Sequence, residues 1–147
     1  MDKKIMGLLI GIVAVFLVLV VAAVFMGDSS NDVIIGNQTF HIPNGFEESD
    51  LPGGTPNTLI TRELRFFKNG NNESFVIAVY HNETIHNLNL SNPVNKTIGG
   101  INGVYSTQNV FYKIYKDETV YTFRYQHNND LISIASPDES LIEQVIM

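Results

Sequence analysis

The chain has 147 residues, a formal net charge of -6 and no cysteine. That length suits one compact domain. The missing cysteine excludes a disulfide scaffold, a thiolate metal site, a thiol nucleophile and a cysteine-linked lipid anchor. A pI of about 5.0 argues against a basic nucleic-acid binder, so no nucleic-acid partner is expected.

The first predicted element is Ile5–Met26, an unbroken run of 22 uncharged residues. As a helix rising about 1.5 Å per residue, it is long enough to cross a hydrocarbon core of about 30 Å. Lys3 and Lys4 precede the run and Asp28 follows it. The positive-inside rule then leaves residues 1–4 in the cytoplasm and carries the rest of the chain outside. Residues 5–26 are therefore expected to be a signal anchor, with the lipid bilayer as partner and the cell membrane as location.

Two other readings fit this run less well. A cleaved signal peptide has an apolar core of about 7–15 residues and a small-residue cleavage site. This run is longer and ends Val24-Phe25-Met26-Gly27. A pilin-like filament subunit would be cut near Gly7, but Gly7 follows Met6 rather than a basic residue. Gly7 and Gly11 make a short G-x-x-x-G, which by itself does not specify a helix dimer.

Residues 27–32 read as a linker. The five from Gly27 to Asn31 extend about 17 Å at most, which holds the outer domain, 33–147, close to the membrane. Beyond it the pattern is mostly that of strands. Phe40 and Ile42 alternate with polar neighbours, and Pro43-Asn44-Gly45 supplies a turn. Residues 51–56 form a loop around Pro52, Gly53, Gly54 and Pro56. In Thr58–Phe67, Ile60, Leu64 and Phe66 share a face while Arg62 interrupts the alternation. In Phe75–Tyr80 both faces are apolar, which predicts a central strand covered on both sides. Residues 81–103 are the least regular. Residues 110–115 and 121–126 alternate around Asp117-Glu118 and predict a hairpin, and Ile132 and Ile134 mark a further strand after the turn at 128–130.

The C-terminal segment carries a capping box, with Ser136 as N-cap, Pro137 at the first helical position and Glu139 reaching back. Leu141, Ile142, Val145 and Ile146 then line one side of a helix that needs the sheet as partner. The predicted class is α+β: an antiparallel sheet of about five or six strands with a C-terminal helix packed on one face.

Phe40-His41-Ile42-Pro43-Asn44-Gly45-Phe46 resembles the opening of small extracytoplasmic α+β domains, with a strand, a Pro-x-Gly turn and an aromatic. The Gly99–Gly103 segment, the hairpin after it and the capped final helix resemble the end of such domains. As a whole the chain is similar to single-pass, membrane-anchored small surface proteins of methanogenic archaea, whose activity is uncharacterised. The resemblance implies a location and a fold type and transfers no catalytic residue.

Motifs for chemistry are sparse. His81, Glu83 and His86 form H-x-E-x-x-H, not the H-E-x-x-H of zinc proteases; they are the weak candidates for a metal. Glu47, Glu48 and Asp50 make an acidic loop without the order of a calcium-binding loop. Gly99, Gly100 and Gly103 precede a strand rather than a helix, so they predict no phosphate cradle and no cofactor. No G-x-S-x-G elbow is present, and no catalytic residue is assigned. Tyr112, Tyr121 and Tyr125 fall on the apolar side of the predicted hairpin. Lys113, Tyr115, Thr122, Arg124 and Gln126 fall on the other side and are the candidate binding face. Asn37, Asn72, Asn82, Asn89 and Asn95 head N-x-[ST] sequons, candidate N-glycosylation sites on a domain outside the cell.

The function expected is non-catalytic binding of a protein or envelope component, such as a glycan. The alternatives are a small surface hydrolase or metal-dependent enzyme, and a pilin-like subunit.

Overall fold

The computed structural model describes residues 31–52, 58–59, 61–87, 90, 92–107, 111 and 113–146. Residues 31–147 form a compact unit of their own. The predicted membrane helix 5–26 and linker residues 27–30 lie outside the described residues, as do Gly53, Gly54, Pro56, Ile60, Asn89, Val110 and Tyr112.

The first described elements form a hairpin of β1 (Asn31–Ile35) and β2 (Gln38–Ile42). Its two-residue turn, Gly36-Asn37, holds both residues at positive φ, 56° and 65°. Glycine and asparagine are the residues that accept such a turn. A Cβ on Gly36 would also stand 2.7 Å from Val79 Cγ1, so this position requires glycine twice over.

A second, eight-stranded sheet carries the core. Its strands are β3 (Glu47–Ser49), β4 (Thr58–Leu59), β5 (Arg62–Lys68), β6 (Ser74–Tyr80), β7 (Val94–Ile98), β8 (Ile101–Ser106), β9 (Tyr121–His127) and β10 (Asp130–Ser136). The order is β3-β5-β6-β10-β9-β8-β7, with β4 also paired to β5, and every pairing is antiparallel. Two meanders, β5-β6 and β7-β8-β9-β10, thus meet where β6 pairs β10. That junction is the centre: Phe75–Val79 and Leu131–Ala135 are all within 1% of complete burial. The apolar character of both faces of β6 was legible as centrality.

One face of the sheet is covered by the β1–β2 hairpin and by helix α1 (Glu139–Ile146). Ile35, Phe40, Ile42 and Phe46 meet Phe75, Ile77, Phe123, Ile132 and Ile134 there, with Leu141, Ile142 and Val145 from α1. The opposite face is closed by Leu51, Phe111, Tyr115 and Val120 against Leu64, Phe66, Val76 and Ala78. The C-terminal helix and antiparallel sheet are as expected; the sheet is larger than expected.

Three local expectations are corrected. Residues 58–67 are not one strand, because β4 and β5 pair with each other; the break in alternation at Arg62 marks the start of β5. Phe111 and residues 113–115 do not pair with β9. The amides of Ile114 and Tyr115 both donate to Phe111 O, a helical turn, and β9 pairs with β8 and β10 instead. The helix cap lies two residues later than the capping box implies. Asp138 Oδ1 accepts from Ser140 N at 3.0 Å, while Ser136, the last residue of β10, donates its hydroxyl to Ser74 O at 2.6 Å. Ser136 is wholly buried, and its Oγ also accepts from Asp138 N at 3.0 Å, so it serves the sheet and the approach to the helix together.

Candidate functional site

The five residues of the predicted binding face are separated by depth. Lys113 and Gln126 are exposed, whereas Tyr115 is 3%, Arg124 3% and Thr122 0% exposed. They do not make an open surface. On this side of the sheet Phe111, Tyr115 and Val120 pack against Leu64, Phe66, Val76, Ala78 and Ala135. Between Tyr115 and Val120 the chain passes through Asp117 at φ 55°. Tyr115 is the anchor: its hydroxyl is 3.0 Å from Ser74 Oγ and its ring meets Phe66 edge-on at 6.3 Å. Burial raises the Tyr115 phenol well above its ordinary value of 10.0, against the bond from Ser74.

The same side of the sheet carries polar groups. Alternation along β9 puts Thr122, Arg124 and Gln126 on one face. Arg124 stands opposite Ser133 of β10, and Arg62 opposite Tyr80 of β6. Arg124 Nη1, Thr122 Oγ1, Ser133 Oγ and Arg62 Nε are all buried without a hydrogen-bond partner. Burial lowers the pKa of Arg124, with the Tyr80 phenol acting in the opposite direction. Burial raises that of Tyr80, against the pull of Arg124 and then Arg62.

Gln126 builds the accessible part of the site. Its Nε2 donates to Glu83 O and to Asp130 O, each at 2.9 Å, and its Oε1 accepts from Ile85 N at 3.2 Å. One exposed amide thereby fastens residues 83–85 to the end of β9. A short 3-10 turn, Ile85–Asn87, follows. The β8–β9 ladder reaches only from Val104 to Ser106, so the two strands are unpaired toward this end. Two clefts share Ile85 and His86 as a common wall. One, of about 450 Å3, is lined by Asn82, Thr84, Gln126, Asn128 and Asn129. The other, of about 500 Å3, is lined by Asn95, Lys96, Thr97 and Asn102 of the β7–β8 hairpin with Gly103 and Val104. Amides and one hydroxyl make up most of the first lining; the second mixes Asn95, Thr97 and Asn102 with the ammonium of Lys96 and the apolar Ile85 and Val104.

The weak metal candidates do not converge. His81 turns its Nδ1 to Asp130 Oδ1 at 3.4 Å, and His86 is an exposed wall of the clefts. Among the described residues, no three His, Asp or Glu side chains are grouped to hold a metal ion. The predicted acidic loop is in part strand β3. Glu48 accepts from Arg65 Nη1 at 2.8 Å and Glu47 stands opposite Lys68, so basic neighbours already meet two of its three carboxylates. A cleft of about 430 Å3 lies between this strand and Asn69-Gly70.

Four sequon asparagines are described, and all four are exposed. Asn37, Asn72 and Asn82 occupy turns at φ 65°, 60° and 56°, a conformation that asparagine tolerates better than most residues. Asn95 lies on edge strand β7 and, with Asn82, lines the clefts. Asn102, Asn128 and Asn129 were not singled out from sequence as cleft residues. Their only sequence signal is the asparagine bias, which is equally a turn signal. No protein-family model, no curated protein and no solved structure matches this chain.

Proposed function

We propose that this protein is a single-pass membrane protein whose outer domain binds a cell-envelope component, a glycan or a protein, without transforming it. The carrying observation is the uncharged run Ile5–Met26, preceded by Lys3 and Lys4 and followed closely by a compact sheet domain that begins at Asn31. The clefts around Ile85 and His86 support the binding part of the reading. Their mixed lining, amides and hydroxyls beside apolar surface, suits the polar groups and apolar faces of sugars and peptides. The similarity to membrane-anchored surface proteins of methanogens belongs to the same proposal.

The test is cross-linking on intact cells, followed by purification of the full-length protein and mass spectrometry. A partner recovered in near-equal amount, joined through residues of the clefts, is the expected result. Protease added to intact cells should also remove the domain. A domain protected until the cells are lysed would overturn the topology, and with it the envelope assignment.

A further inference from the structure

We propose that the outer edge of β7 is an interface between two copies of this chain, paired antiparallel about a two-fold axis at Lys96, so that two sheets continue as one. β7 is the last strand on its side of the sheet, and among the described residues only β8 pairs with it. The hairpin of β7 with β8 fixes which backbone groups face outward. Gly99 and Gly100 both have positive φ, 57° and 78°, and Ile98 stands opposite Ile101, the arrangement of a tight two-residue turn. In such a turn the flanking pair exchanges hydrogen bonds, and bonded and non-bonded pairs then alternate along the ladder. Ile98, Lys96 and Val94 therefore direct their amides and carbonyls to β8. Those of Asn95 and Thr97 point to the open edge, and both residues are exposed.

The two edges of the sheet differ. β3, at the other end, has three residues, two of them glutamates. Short, charged edges resist further pairing. β7 has five residues in unbroken register, and its one charge is already engaged, with Lys96 Nζ 3.1 Å from Glu139 Oε1 on the helix side of the sheet. An edge of this kind accepts another strand through its main chain. The sequence of β7 selects a second copy as that strand. Val94-Asn95-Lys96-Thr97-Ile98 has the same pattern in both directions: β-branched apolar, polar, lysine, polar, β-branched apolar. Turned about Lys96, Asn95 of each copy exchanges backbone bonds with Thr97 of the other. Val94, 58% exposed in one copy, comes opposite Ile98 of the second. The two ammonium groups that meet at the axis arrive with two Glu139 carboxylates, so the charges balance. Moving the axis by one residue fails in either direction. Centred on Asn95, Thr97 would face Pro93, which has no N–H; centred on Thr97, Asn95 would face Gly99 in the turn. The interface uses main-chain groups at the edge and does not rest on the proposed membrane topology or on the clefts around His86.

Because the chain has no cysteine, a single introduced thiol reports on one position only. Lys96→Cys and Val94→Cys variants of the full chain, made in a host without the sequon transferase, are purified in mild detergent and oxidised. Directly opposed, non-bonded residues have Cα atoms about 4.5 Å apart, within disulfide range. The two copies of position 94 lie about 14 Å apart along the strands, out of range. Lys96→Cys should therefore cross-link as a dimer about tenfold more than Val94→Cys. Sedimentation of the unaltered chain should show a dimer. Thr97→Pro removes an outward amide that the β7–β8 ladder does not use, and should convert the dimer to monomer with the circular dichroism of the sheet retained. If Thr97→Pro does not fold, the two cysteine variants decide. A monomeric unaltered chain, equal cross-linking at both positions, or a dimer that Thr97→Pro leaves intact would overturn the proposal; the last would move the association to another surface, such as the apolar run Ile5–Met26.

Discussion

Lys96, on edge strand β7, reaches Glu139 at the start of α1, with Nζ 3.1 Å from Oε1. The same ammonium lies 4.6 Å from the centre of the Tyr105 ring, whose hydroxyl also bonds Glu139. One carboxylate thus ties the outermost hairpin of the sheet to the final helix. Lys96 and Tyr105 hold the Glu139 carboxyl below its ordinary value of 4.5. Folding therefore favours the ionised form. The contribution is complete above the unfolded value and is lost as pH falls through the lowered folded one. Both side chains are partly exposed, so solvent screens the pair. Glu139→Gln should cost about 0.5 kcal/mol near neutral pH and nothing in strong acid, by urea unfolding at each pH.

Alkaline titration probes the interior. Burial raises the phenols of Tyr80, Tyr105, Tyr115 and Tyr125, that of Tyr125 to about 12. The unfolded chain releases these protons near 10 while the folded chain keeps them. Stability should therefore fall as pH rises above 10. Phenolate absorbance should show these four tyrosines titrating late, together with loss of structure. Independent titration of these four near pH 10 while the fold persists would contradict this prediction.

Gly103 is required by packing rather than by φ. A Cβ built there would collide with the Arg124 carbonyl oxygen and lie 2.6 Å from Phe123 Cζ. The first of these is backbone and has little freedom to retreat. Gly103→Ala should destabilise the domain by about 1–3 kcal/mol, read from the urea midpoint.

The helix should be indispensable. Ile142 is wholly buried, and Leu141 and Val145 are nearly so. Ile142→Ala removes apolar volume at the seat of α1 and should cost about 2–5 kcal/mol. Removing the last six residues should expose the core face beneath and give dye-binding, aggregation-prone protein.

On the proposed topology, the exposed sequons at Asn37 and Asn72 should carry glycans in cells that have the transferase, while Asn82 and Asn95, which line the clefts, should stay unmodified where the partner binds. Thr39→Ala removes the first without disturbing the positive-φ turn at Asn37, and should lower the mass of the purified protein by one glycan. Glycans at Asn82 and Asn95 would fill the clefts they line, so occupancy there should exclude the cross-linked partner.

Much of the frame was legible in the residues alone. The two apolar faces of β6, the turn at Pro43–Gly45, the turn at Asn128-Asn129 and the one-sided apolar stripe of α1 each follow from local periodicity and turn chemistry. The hairpins at Gly36-Asn37 and Gly99-Gly100 were not legible as such, because the strands beside them, β1 and β7, have little regular alternation. Tertiary structure alone decided the fate of Tyr115, Thr122 and Arg124. Alternation tells which residues share a face, but not what covers it. Phe111, Tyr115 and Val120 close this side of the sheet over Leu64, Phe66, Val76 and Ala78, anchored by a bond between residues 41 positions apart, Tyr115 and Ser74. Long-range closure of this kind leaves no periodic trace in the chain, and it placed a charged side chain where water would have been expected.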